Sequence, residues 1–173
     1  MCMRAMPFVI LMALVVFAWP APAQPSTAPN FVAHLSGDEE VPPVDTQAQG
    51  QAIFQLNAEE EALDFRLLVA NIEDVTQAHI HCGAAGVNGP VVVFLFGLEP
   101  AGVTVNGVLS QDTITGDDII VRPDSPACPG GVATFDDLLA KMLGGDTYTN
   151  VHTLVNPGGE IRGQNAPAGP PTR

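Results

Sequence analysis

Apolar and polar residues alternate with a period of two along much of the chain, the pattern of strands that bury one face and wet the other. In 48–57, Ala52, Phe54 and Leu56 alternate with Gln51, Ile53 and Gln55, and in 63–70 Leu63, Phe65, Leu67 and Val69 interleave with Asp64 and Arg66. Residues 31–36 predict an earlier strand, followed by an extended kink at Val41-Pro42-Pro43-Val44, because proline restricts both itself and its predecessor. Residues 75–81 predict the next strand. Residues 90–96 differ: Val91 to Phe96 contain no polar side chain, which predicts a central strand covered on both faces. Around Asn106-Gly107, residues 103–105 and 108–110 predict a hairpin, since Asn-Gly tolerates the positive φ angles of a two-residue turn. Residues 112–121 predict one more short strand. Residues 147–155 and 160–164 close the set around the turn Asn156-Pro157-Gly158-Gly159.

One segment changes period. Phe135, Leu138, Leu139, Met142 and Leu143 fall at helical spacing behind Thr134, a suitable N-cap. Asp136 and Asp137 suit the positive helix end, Lys141 the last turn, and Gly144 can end it. Many short strands and one short helix predict an all-β fold, a β-sandwich or Greek-key barrel.

The ends stand apart. Residues 1–23 read as a signal peptide: Arg4, an apolar stretch from about Pro7 to Trp19, then the small-x-small sequence Ala21-Pro22-Ala23. The apolar stretch is short of the roughly 20 residues a membrane span needs. Residues 24–30 predict a disordered linker and 165–173 a disordered tail, leaving 31–164 as one domain. The expected location is secreted or periplasmic. The full chain carries a formal charge of −13, and cleavage removes Arg4 alone, so the mature protein is more acidic still. Such a surface repels nucleic acid and anionic membranes and is compatible with attracting cations. Cys82 and Cys128 then remain as the only thiols; a disulfide is the favoured reading in an oxidising compartment, with one of them as a metal ligand the competing one.

The candidate chemistry lies in four histidines. His79 and His81 sit two apart on a predicted strand and so share a face. His152, in YTNVHT, can supply a third imidazole from a neighbouring strand. Three imidazoles suit copper or zinc; copper has the higher intrinsic affinity and is handled outside the cytoplasm, so copper is the expected ion and zinc the alternative. The competing reading has three neutral imidazoles bonded to main chain in a Gly-rich corner. His34 is a further candidate ligand, although it lies opposite Phe31, Ala33 and Leu35 on its strand. A His₂Cys arrangement using Cys82 is disfavoured because Cys82 points away from His81. Arg162 is a candidate anion guide, or a partner for Glu160 or another carboxylate. Glu39-Glu40 beside the Pro-Pro kink reads as a solvated loop. No catalytic residues are predicted: no nucleophile elbow, paired-carboxylate signature or phosphate-binding loop is present.

Four segments carry a resemblance: FVAHLSGDEEVPPV (31–44), GQAIFQL (50–56), AHIHCGAAGVNGPVVVFL (78–95) and YTNVHTLVNPGGEIRGQ (148–164). Together they resemble the chordin-type (CHRD) domain of secreted bacterial proteins and of the extracellular antagonist chordin. The resemblance implies an extracellular immunoglobulin-like β-sandwich and leaves its biochemical role open. The histidine pattern is also similar to copper/zinc superoxide dismutases, Greek-key sandwiches with a His-x-His pair and a later Val-His segment. Against that, the loop after His81 has no histidine to bridge two metals, and no His-rich zinc loop exists. The expected function is a secreted, non-catalytic metal-binding protein using His79, His81 and His152. An extracellular interaction module with structural histidines is the alternative, and dismutase-like copper redox chemistry a third.

Overall fold

The computed structural model describes residues 30–57 and 61–169. Its strands are β1 (Asn30–Ser36), β2 (Gln49–Asn57), β3 (Ala62–Ala70), β4 (Val75–Cys82), β5 (Val91–Phe96), β6 (Gly107–Ile114), β7 (Thr147–Thr153), β8 (Ile161–Gln164) and β9 (Ala166–Pro167), with one helix, α1 (Phe135–Gly144). All strand pairs are antiparallel and form one ladder in the order β5-β4-β7-β8-β1-β2-β3-β6, with β9 added to β1. The ladder curls until its ends meet: the Ile120 amide, just past β6, donates to Val92 O of β5 at 2.8 Å. Read around this nearly closed sheet, β7 returns beside β4 after β5 and β6, which is Greek-key connectivity. The all-β class with one short helix is the expected one.

Alternation decides what enters the core. Ala52, Phe54 and Leu56 of β2 and Leu63, Phe65, Leu67 and Val69 of β3 are buried, as are Phe31, Ala33 and Leu35 of β1. Ala78, Ile80 and Cys82 of β4 meet Val151 of β7 and Ile161 of β8 in the same interior. Cys82 and Cys128 form the disulfide, with Cα atoms 5.4 Å apart and a sequence separation of 46. On the chain-entropy estimate it contributes about 4 kcal/mol by restricting the unfolded chain. Its formation removes Cys82 as a thiolate ligand.

The helix follows its sequence signals. Thr134 Oγ1 accepts from the Asp137 amide at 3.1 Å while Asp137 Oδ2 accepts from the Thr134 amide at 3.0 Å, a capping box. Phe135, Leu138 and Met142 are buried; the left-handed residue that stops the helix is Gly145, φ 74°, one beyond the expected Gly144.

Several local expectations are corrected. The apolar run in β5 is the end of the ladder, not a doubly covered centre, and Phe94 is 49 % exposed. Residues 103–110 form no hairpin: Val103 pairs with Val75, Asn106 Oδ1 accepts from the Asn71 amide at 2.9 Å, and Gly107 starts a strand on β3. Long-range pairing overrides the local Asn-Gly preference. Residues 112–121 are divided between the end of β6 and a 3₁₀ turn, Gly116–Asp118. Residues 1–23 and 24–29 lie outside the described part; Asn30 already belongs to β1. The tail is ordered further than expected, because Asn165 is buried and Ala166–Pro167 pair with β1. Residues 170–173 lie outside the described part. No helix among the described residues is long and apolar enough to cross a membrane.

Candidate metal centre

With Ala78, Ile80 and Cys82 turned inward, β4 must direct His79 and His81 to the outer side of the sheet. Register sets their neighbours on β7: Asn150 opposite His79, Tyr148 opposite His81, and His152 opposite Gln77. An outer face is normally wet, yet His79 is 3 % and His152 6 % exposed, and His81 is half-buried. The Gly-rich segment 83–90 and the turn containing Pro157 supply partners on this side (below). The ring centroids of His79 lie 5.5 Å from His81 and 4.9 Å from His152, with 6.1 Å between His81 and His152. One ring nitrogen from each can be chosen so that all lie within 4.8 Å of one another. The structure therefore joins the three predicted histidines around one point.

Their hydrogen bonds fix the tautomers. A carbonyl only accepts, so His81 Nδ1, 2.9 Å from Gly89 O, and His152 Nδ1, 3.0 Å from Pro157 O, carry protons. Both Nε2 atoms then hold lone pairs. His152 Nε2 receives the Nδ1 proton of His79 at 3.1 Å, whereas Nε2 of His79 and of His81 are buried with no partner. A backbone carbonyl holding the far nitrogen is also the usual support of a metal-bound imidazole. Burial, then the neighbouring imidazoles, push His79 down to about 3. Burial pulls His81 to about 4 against the opposing Gly89 bond, and burial lowers His152 too. The neutral imidazoles need release no proton to bind a cation.

The surrounding residues include several that sequence reading missed. Tyr148 stacks on His81, centroids 4.7 Å apart and planes 10° apart, and Arg162 Cζ sits 3.4 Å above the Tyr148 ring. Phe94 meets His79 edge-on at 4.4 Å. Alternation along β7 places Tyr148, Asn150 and His152 on one face, a signal present in the sequence. Nothing local marked the Gly89 and Pro157 carbonyls as the acceptors that orient the rings. Gly89 is required because a Cβ there would collide with Cys82 O.

Arg162, the candidate anion guide, is not at the surface. It is 2 % exposed, and its guanidinium donates to Asn88 Oδ1 at 3.0 Å, Val87 O at 2.9 Å and Ala84 O at 3.3 Å, tethering the loop that carries Gly89. Glu160, its other expected partner, instead accepts from Thr46 at 2.8 Å and Thr153 at 2.7 Å. Glu40 is corrected as a solvated residue: it is 6 % exposed and accepts from Asn150 Nδ2 at 2.6 Å. Burial raises its carboxyl to about 7, outweighing the attraction of Arg162. His34 does not join the cluster. It is exposed on β1 and lines a separate surface groove of about 450 Å³ with Gln49, Gln51 and Leu68.

No curated protein and no solved structure matches the chain. The family model described as "CHRD domain" matches residues 31–165, from the second residue of β1 through β8, with all three clustered histidines. The chain belongs to the CHRD domain family.

Proposed function

We propose that this CHRD domain is an exported module that holds one transition-metal ion, copper in preference to zinc, on His79, His81 and His152, without catalysing a reaction. One observation carries the reading: two buried ring nitrogens have no partner, while the opposite nitrogens of His81 and His152 are locked by carbonyls. A buried polar atom left unpaired costs about 1–3 kcal/mol, a cost an ion at that point would remove. Imidazole donors suit copper, and copper is handled outside the cytoplasm. The Cys82–Cys128 disulfide supports an oxidising compartment. Metal analysis and titration of the purified protein test the reading. Stoichiometric copper at sub-micromolar affinity, lost in His81→Ala, is expected; no stoichiometric copper or zinc overturns it.

A second reading has support of its own. The His79–His152 bond and the bonds to Gly89 and Pro157 brace both loops without an ion, as an interaction module with structural histidines requires. On that reading histidine substitutions lower stability while metal content stays at zero throughout. The third reading, dismutase-like turnover, requires copper-loaded protein to consume superoxide above the free-copper background.

A further inference from the structure

We propose that the three-histidine site selects a monovalent ion, Cu(I), and discriminates against Zn(II) and Cu(II). The inference rests on the reading of His79, His81 and His152 as ligands. Charge is the reason. All three donors are neutral imidazoles, the sulfur of Cys82 is tied up in the disulfide, and the cluster contains no carboxylate among the described residues. The ligand set thus contributes no negative charge to a buried ion.

The neighbours do not make up the deficit. On one side stands the apolar ring of Phe94, 4.4 Å from His79. On another the Arg162 guanidinium lies over Tyr148, the ring stacked on His81. A second cation flanks the same histidine: Arg122 Nε donates at 2.7 Å to the carbonyl of Val91, the residue paired with His81 across β4 and β5. The buried carboxylate nearby, Glu40, reaches this region only through Asn150, and it faces Arg162. Arg162 faces Glu40, and Arg122 adds a positive charge beside His81. The cost of taking an ion out of water rises as the square of its charge, so a divalent ion meets about four times the penalty of a monovalent one. Among ions suited to imidazole, Cu(I) alone is monovalent.

Competition titrations on the mature, disulfide-intact protein decide the matter. Cu(I) is titrated anaerobically against bicinchoninate, and Zn(II) and Cu(II) against chromophoric chelators in chloride-free buffer. Cu(I) is expected to bind at least about a thousandfold more tightly than either divalent ion, a difference of three tenfold steps. Arg122→Gln is expected to narrow that ratio by tightening divalent binding, whereas Arg122→Lys, which keeps the charge, leaves it unchanged. Zn(II) or Cu(II) binding as tightly as Cu(I) overturns the selectivity but leaves the histidine site standing. Failure of all the ions to bind overturns both. An unaltered ratio in Arg122→Gln, with the protein folded by circular dichroism, overturns the charge argument.

Discussion

The outer faces of β2–β3 and of β4–β7 belong to one ladder and obey one alternation, yet they carry opposite chemistry. On β2–β3 the outward residues Ile53, Gln55, Asp64 and Arg66 are exposed, and Thr113 Oγ1 donates to Asp64 Oδ1 at 2.6 Å in contact with solvent. On β4–β7 the outward residues His79, Tyr148, Asn150 and His152 are all buried. Water satisfies polar groups in the first region at no cost to folding. In the second each polar atom must find a protein partner or be left wanting. Most do: His81 and His152 bond to carbonyls, Asn150 to Glu40, and Arg162 to the loop. The atoms that do not include His79 Nε2, His81 Nε2 and Asn150 Oδ1. The contrast teaches that loops closing over a β-strand's outer face turn ordinary outward polar residues into buried ones that depend on protein partners.

The largest expected effect separates the two faces by function. His152→Ala should weaken copper binding by at least about a thousandfold, roughly 4 kcal/mol, with far-ultraviolet circular dichroism unchanged. Retained affinity would place the ion elsewhere. Next, Arg162→Met removes the tether of residues 84–88 and strands Glu40; loss of one buried charge partner costs about 3–5 kcal/mol. An unfolding free energy from urea titration lowered by less than a fifth of that would show the covered face to be no more organised than the open one.

Acid should also distinguish the faces, more modestly. The folded-state pKa values of His79 and His81 lie below the ordinary histidine value of 6.5, at about 3 and 4. Between these limits the unfolded chain binds more protons, so this part of the stability is present above 6.5 and is lost as pH falls toward 4. Glu40 runs the other way. Its folded value of about 7 exceeds the usual 4.5, so its contribution is present below 4.5 and lost as pH rises through 7. Glu40→Gln should therefore steepen the loss of stability of the metal-free protein between pH 6.5 and 4.5, read from urea midpoints across that range. A shallower slope would contradict the sign. The smallest effect is expected on the open face: Gln55→Ala should change stability by no more than about 0.5 kcal/mol and leave metal affinity untouched.

Legibility in the sequence followed the range of the forces involved. β2, β3 and α1 were readable because alternation and capping act within a few residues, as with Thr134 and Asp137. β5 and residues 103–110 were not. Both were read from local apolarity or turn preference, whereas the pairing of Val103 with Val75 and the closing contact of Ile120 with Val92 join residues distant in sequence. The histidine trio was legible as a candidate because His79 and His81 are two apart in a strand. The burial of Glu40 was not, since it depends on Asn150, 110 residues away.

What the sequence determined by itself is which side chains share a face: His79 with His81, Tyr148 with Asn150 and His152. Backbone stereochemistry imposes a period of two on any strand wherever that strand ends up. Only the tertiary structure decided that β4 and β7 would be neighbours in a register that brings His152 to His79, and that Gly89 and Pro157 would offer carbonyls to the rings behind. Register and loop closure come from contacts summed over the whole sheet, and no short stretch of sequence contains that sum.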